Sequence, residues 1–363
     1  MQIVRQSSAD FEGVEKRGDL ISCLLTVLSA ILALTLLATP LAHAWDWVPT
    51  DEEIQKYRKS WNPMANGPIL ISGVDIQPQG QFLFQPFVFG QIGHEKFGNQ
   101  LSANSTDSPT HLRAVAPTGI FAYGITNHVE LNVAFSGIYW EASRAGGASG
   151  RTVDSESGVG DTTIYLKYRP LVQDPDGWRP SVTIYNQVAL PSSQWFGTQG
   201  IPGGFSPLGR LPATRFGALS FTEGIMFRKN LEPFRISGGV FYTYTNPGST
   251  AGMNTYPGDI INTRLVVEHI LNDERGFGYN LEFVTLHGLS HRLDGHLLNI
   301  NPTSFSLMGV QPTLQYKFFH DSNGALVGAA GCLFTVAGQN NINAIYPNLS
   351  LYYYWGRGKP VMR

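Results

Sequence analysis

One run of nine residues, His128 to Ser136, limits the folds open to this chain more than anything else in it. Val129, Leu131, Val133 and Phe135 alternate with His128, Glu130, Asn132 and Ser136. A period of two puts the apolar set on one face of a strand and the polar set on the other. The pattern recurs. Ile164, Leu166 and Tyr168 oppose Thr163, Lys167 and Arg169; Phe234, Ile236 and Val240 oppose Arg235 and Ser237. Ile261, Leu265 and Val267 oppose Asn262, Arg264 and Glu268; Leu281 and Phe283 oppose Asn280 and Glu282. Near the C-terminus Leu349, Leu351, Tyr353 and Trp355 oppose Asn348, Ser350 and Tyr352. Two stretches are poorer: Gln79–Ile92 is apolar on both faces and Ala213–Phe227 is blurred. Pro86, Pro117, Pro312 and Pro347 interrupt strands and are expected to mark bulges or strand ends.

Twelve strands are expected: Gln79–Ile92, Leu112–Ile125, Val129–Glu141, Gly160–Leu171, Arg179–Leu190, Ala213–Phe227, Glu232–Thr245, Asp259–Leu271, Gly276–His287, Thr303–Phe319, Ala325–Ala337 and Ala344–Trp355. Every second connection has short hairpin chemistry: 126–128, Asp174-Pro175-Asp176-Gly177, Lys229-Asn230, 272–275 and 321–324. The others are mostly long and rich in Gly, Ser, Asn and Pro: Glu95–Thr110, Ala142–Gly158, Ser192–Pro212, Asn246–Pro257 and Gly288–Pro302. The last, Gly338–Asn343, is short. An even strand count with short turns at one end and long loops at the other is the plan of an all-β, antiparallel, up-and-down transmembrane barrel.

The sign of the alternation then matters, because a soluble barrel hides its apolar face and a membrane barrel shows it to lipid. Only 14% of residues are charged, against roughly 25% in an ordinary soluble chain. The one long apolar run, Leu20 to Leu41, follows Lys16 and Arg17 and ends at Ala42-His43-Ala44, the order of a secretory signal with cleavage expected after Ala44. Acidic Asp10, Glu12, Glu15 and Asp19 are unusual for such a leader. Tyr139, Trp140, Tyr353 and Trp355 would form an interfacial aromatic girdle on the outward stripe. With lipid outside, Lys167, Arg169, Arg235, Arg264 and Lys317 should point into the lumen beside Glu130, Glu268 and Glu282. A Lys or Arg facing lipid at mid-membrane costs about 2–4 kcal/mol. Mutual neutralisation explains such a set as well as solute selectivity does.

The organisation expected is a leader over 1–44, a periplasmic segment over 45–78, a barrel over 79–356 and a tail over 357–363. Thr50-Asp51-Glu52-Glu53 reads as a capping box opening a short helix to about Trp61, broken by Asn62-Pro63 and Asn66-Gly67-Pro68. This segment is either a periplasmic linker or a plug that enters the barrel. After leader removal Cys332 is the single cysteine, which excludes an intramolecular disulfide. His287, His291, His296 and Asp294 share a loop without the spacing of a compact metal motif, so no metal or other cofactor is expected. His320-Asp321-Ser322-Asn323-Gly324 has the look of an outer-membrane phospholipase site, but it falls in a short turn of ordinary turn residues, so no enzyme is expected. A net charge of −2 without a basic cluster argues against nucleic acid.

Tyr123-Gly124-Ile125-Thr126-Asn127-His128-Val129-Glu130-Leu131 resembles a hairpin of the outer-membrane family named for the meta-pathway of phenol degradation. Gly158-Val159-Gly160-Asp161, followed by Lys167-Tyr168, resembles that family's next strand, and Ala189-Leu190-Pro191-Ser192 the end of the one after, with Ser193 where Gly is usual. The resemblance covers Gln79 to the C-terminus. It implies an outer-membrane channel of a Gram-negative cell that passes small hydrophobic or aromatic compounds by passive diffusion. Its partners would be outer-membrane lipid, a small hydrophobic solute and the barrel-assembly machinery. It makes Gly124, Glu130, Gly158, Gly160, Asp161, Lys167, Tyr168 and Pro191 the motif residues. A lipid hydrolase and an adhesive barrel working through its long loops are the alternatives. Unlike barrels that end on an aromatic residue, this chain continues past Trp355 to Arg363, so an assembly signal would be internal.

Overall fold

The computed structural model describes residues 49–70, 73–146, 150–190, 192, 219–250, 253–256, 258–290, 292–293, 296–297, 304–321 and 324–356. The expected leader, the tail after 356, Pro191, His291, Asp294 and Ser322 lie outside the described residues. No helix among the described residues is long and apolar enough to cross a membrane. The one described helix, α1 (Asp51–Lys59), carries Asp51, Glu52 and Glu53 in its first turn and Lys56, Arg58 and Lys59 in its last, the order that suits the helix dipole. It stops just before Asn62-Pro63, where the residue ahead of proline is driven out of helical geometry.

Strands follow in chain order: β1 (Gln81–Phe97), β2 (Ser105–Gly124), β3 (Val129–Gly146), β4 (Gly150–Val159), β5 (Thr162–Leu171), β6 (Ser181–Leu190), β7 (Ser220–Leu231), β8 (Phe234–Thr245), β9 (Gly248–Thr250), β10 (Met253–Tyr256), β11 (Ile260–Asn272), β12 (Phe277–Gly288), β13 (Arg292–Leu293), β14 (His296–Leu297), β15 (Phe305–His320), β16 (Gly324–Gln339) and β17 (Ile342–Gly356). β1 pairs antiparallel with β2 on one edge and with β17 on the other, which closes the ring. β4 prolongs the line of β5 along the edge of β3. Its pairing slips by one residue between Ala134↔Thr163 and Gly137↔Val159, a β-bulge at Gly160-Asp161. The wall is therefore a closed, antiparallel twelve-strand barrel. β9, β10, β13 and β14 come from two of the long loops and form a separate four-stranded sheet.

The outer surface settles the sign of the alternation. Phe135 is 50% exposed, Ile225 56% and Leu314 62%. Phe82, Phe121, Val240, Leu265, Phe283 and Leu349 are exposed with them on many different strands. An apolar belt of this extent around a closed wall has lipid, not water, as its neighbour. Conversely, Glu130, Lys167, Arg169, Arg235, Glu268 and Glu282 are all buried on the inner face.

Several expectations are corrected. The segments 95–110 and 142–158 are largely strand, since β1 and β2 run on to Phe97 and from Ser105, and β3 and β4 form a long hairpin. The blurred strand expected over Ala213–Phe227 lies at Ser220–Leu231, so Lys229 and Asn230 are paired residues and the turn falls at Glu232-Pro233. Trp140 is 3% exposed and faces the lumen. Neighbouring strand residues face opposite ways, so Trp140 cannot share the outward stripe with Tyr139. The four prolines neither end strands nor shift register. The pairing of β1 with β17 skips Pro86 and Pro347, that of β2 with β3 skips Pro117, that of β15 with β16 skips Pro312, and each ladder resumes in the same register. The missing N–H costs one pairing and the flanking bonds hold the strands in line.

Candidate functional site

The lumen has two unlike halves. On the side of the short turns its wall is polar and charged; on the side of the long loops an apolar patch over β1, β12, β15, β16 and β17 faces polar Ser220, Thr222 and Thr245 of β7 and β8. The polar half is in contact with the chain's own N-terminal segment. From Asn62 to Ile69 every residue is buried, and so are Val74 and Ile76. This stretch has no strand or helix of its own, so its backbone N–H and C=O groups need other partners. Inward side chains of the barrel supply them. Gln315 accepts a hydrogen bond from the Gly67 N–H at 2.9 Å, and the Asn280 amide donates to the Gly67 carbonyl at 3.2 Å. The Glu282 carboxylate accepts from the Ile69 and Leu70 N–H groups at 2.7 and 3.1 Å. The Thr183 hydroxyl donates to the Val74 carbonyl at 2.6 Å, and Glu130 accepts from the Gln77 N–H at 2.7 Å.

The charged groups form a connected set. Lys167 Nζ reaches Glu130 Oε1 at 2.8 Å and donates to the carbonyls of Gly73 and Asp75, both at 2.9 Å. Arg235 lies 3.3 Å from Glu268, and Arg228 lies 3.9 Å from its other oxygen. Asp75 is bridged by Arg228 at 2.6 Å and Arg169 at 3.5 Å, and accepts from the Tyr57 hydroxyl of α1 at 2.9 Å. Burial alone would push the Asp75 carboxyl up, but the two guanidiniums and the Tyr57 hydroxyl outweigh it and hold it below the usual carboxylate range. Burial pushes the Tyr57 phenol up, and the Asp75 charge adds to it.

The motif residues now acquire physical roles. A side chain at Gly124 would run into the carbonyl oxygens of Gln77 and Pro78, where the incoming segment crosses the rim. Gly276 (φ +51°) does the same opposite the Met64 carbonyl. Thr126 Oγ1 accepts from the N–H groups of His128 and Val129, both at 3.1 Å, which closes the turn leading into Glu130. Gly158 precedes the bulge and Gly160 lies in it; the Gly160 N–H donates to the Ser136 carbonyl at 2.7 Å and Asp161 is buried. Tyr168 pairs across from Val129 and Ile184.

Of the other inward candidates, Arg264 is half-buried and bonds Asn262 at 3.1 Å, while Lys317 sits half-buried near the turn-side rim and is not drawn into the charged set. Sequence reasoning missed Asp75, Arg228, Tyr57, Thr183 and Gln315. The signal for Arg228 was its spacing of two from Met226, once the strand is placed correctly. Asp75 carries no periodic signal, because it lies outside any strand. His287 Nδ1 is 2.8 Å from Ser306 Oγ. His320 ends β15 exposed.

The apolar half is lined by Phe87, Phe89, Ile260, Leu286, Phe305 and Leu307, with Trp140 and Leu112 beside Ala114 and Ala142. Ile69 of the segment packs into the first of these groups.

No family model matches the chain and no curated protein matches it, so the resemblance noted above rests on its motifs alone. Among solved structures, an outer membrane channel from Pseudomonas putida F1 is similar at a TM-score of 0.58 and 14% identity, over 79% of this chain and 99% of that one. The transport unit of the autotransporter AIDA-I from Escherichia coli follows at a TM-score of 0.40 and 10% identity, over 78% of this chain and 93% of that one. The Pseudomonas putida toluene transporter TodX has a TM-score of 0.33 and 10% identity, over 83% and 97%. The last two are too distant to inform the fold. The first agrees with it. This chain has the fold of an outer-membrane β-barrel.

Proposed function

We propose that the chain is an outer-membrane channel for small hydrophobic compounds, which cross by passive diffusion, and that the segment described over residues 61–70 and 73–77 closes it. The observation that carries this reading is the apolar, aromatic patch that lines much of the loop-side half. A channel for ions or sugars needs polar lumen groups to replace lost hydration, whereas Phe87, Phe89, Leu286, Phe305 and Leu307 offer none. A buried apolar side chain is stabilised by about 1.5–3 kcal/mol when removed from water, and the same surface favours an apolar solute. The solved outer membrane channel of similar fold supports the transport reading. The test is uptake of toluene by cells with and without the protein, across an otherwise intact outer membrane. Faster uptake is expected with the protein. Equal uptake, with the barrel folded in the membrane, would overturn the reading.

A further inference from the structure

We propose that the dipeptide Val74-Asp75 occupies the site of a transported solute, and that this solute is a small amphiphilic acid with an apolar or aromatic body and one carboxylate. The inference rests on the channel reading and names its substrate class.

Charge balance is the first argument. In the turn-side half four buried cations borne by the strands, Lys167, Arg169, Arg228 and Arg235, face three buried anions, Glu130, Glu268 and Glu282. Asp75 is the fourth anion, and it comes from the segment. Lys167 and Arg235 keep strand-borne partners at 2.8 and 3.3 Å when the segment leaves. Among the described residues Arg169 has its ion pair only to Asp75, and Arg228 is otherwise left with Glu268 at 3.9 Å. A wall without the segment therefore presents two guanidiniums short of an anion. An uncompensated buried charge is costly, and planar guanidiniums suit a carboxylate better than any neutral group.

Geometry is the second. Val74 is fully buried in a cluster with Tyr165, Tyr185, Met226, Phe241 and Val266. Tyr165 and Tyr185 lie 5.1 Å apart by ring centroid, and Phe241 meets Tyr185 edge-on at 5.5 Å. An apolar group in an aromatic-lined pocket, next to a carboxylate between two arginines, is the outline of an aromatic acid. The third acceptor contact of Asp75, from Tyr57, comes from α1 and not from the barrel wall. What remains on the wall is the arginine pair and the pocket.

The test uses the folded full chain in detergent, with benzoate and benzyl alcohol as probes in equilibrium dialysis. Asp75→Ala is expected to bind benzoate at least about tenfold more tightly than benzyl alcohol, the smallest ratio that one charge-assisted hydrogen bond supplies. Adding Arg228→Gln should abolish that preference. Asp75→Asn, which keeps the shape of the side chain, repeats the measurement should the alanine variant not fold. Benzoate bound no better than benzyl alcohol by either variant, or a preference indifferent to Arg228→Gln, overturns the proposal. Toluene uptake by cells separates the two readings: if uptake is intact and benzoate preference absent, only the acid assignment fails; if uptake itself is absent, the channel reading fails.

Discussion

The two halves of the lumen hold their contents by different physics. On the turn side the segment is fixed by directional bonds: carboxylates of Glu130 and Glu282 on backbone N–H groups, Lys167 on backbone carbonyls, and Asp75 between two arginines. On the loop side the Ile69 side chain joins Phe87, Phe305 and Leu307 in one apolar cluster. Directional bonds specify one arrangement and punish any other, because a broken one leaves a buried charge. Apolar packing tolerates many occupants of suitable size. On the proposed channel reading, a closed gate calls for the first kind of contact and passage of varied apolar solutes for the second.

The largest effects should come from the turn side. Arg235→Met leaves Glu268 buried beside a single cation 3.9 Å away. It is expected to destabilise the folded barrel by about 3–5 kcal/mol, read as a fall in the urea midpoint in detergent. Leu307→Ala on the loop side removes volume but no charge from an apolar cluster and should cost about 2–5 kcal/mol while leaving the segment seated. If Arg235→Met cost no more than a surface change, the charged half would not be a bonded set and the contrast between halves would collapse.

Gly124→Val comes next and sharpens the comparison. Its side chain would displace the Gln77 and Pro78 carbonyls without touching the apolar half. The expected result is a barrel with unchanged heat-modifiable mobility whose segment has been released. Trypsin should then cut at Lys56, Arg58 and Lys59, and conductance in planar bilayers should rise. A variant with its segment still protected would show that entry at Gly124 does not govern docking.

Much of the barrel was legible because period-two alternation is a local property. Glu130, Lys167, Arg235, Glu268 and Glu282 could each be assigned a face from their immediate neighbours. The blur in β1 was itself a signal: Leu83, Phe87 and Phe89 face inward while Phe82, Val88 and Ile92 face outward, as an apolar lumen demands. The bond from Arg228 to Asp75 spans 153 residues and joins a strand to a segment without secondary structure, so no local period could announce it. β7 was misplaced for a related reason. Its inward Ser220, Thr222 and Arg228 are interrupted by Met226, which serves the Val74 pocket and breaks the polar stripe.

Acid should act on one half only. The Asp75 pKa is lowered in the folded protein, so the stability it contributes is fully present above the ordinary carboxylate pKa of about 3.9 and is lost as pH falls through its lower folded value. Neutralising Asp75 leaves Tyr57, Arg169, Arg228 and Arg235 facing an uncharged group. Conductance is therefore expected to stay flat from pH 7 to 5 and to rise only below the ordinary carboxylate range, with Asp75→Asn open at every pH. Opening in the range where histidines titrate would assign the switch elsewhere.

The smallest effect belongs to the contacts outside the lumen. Lys56 lies 3.4 Å from Asp174 and 2.9 Å from Asp176, and Glu53 lies 2.7 Å from Arg179, all partly or largely exposed. The hydrogen bonds that Lys56 donates to Asp176 and Asp174 raise its pKa, which keeps the ammonium charged at every working pH. Exposed pairs of this kind are screened by salt and lose side-chain entropy on forming. Lys56→Ala should leave closure and stability unchanged within measurement, at low and high salt alike. A marked opening by that variant would mean that α1, latched to the turns, holds the segment in place, and the buried bonds of the polar half would then be the consequence of closure instead of its cause.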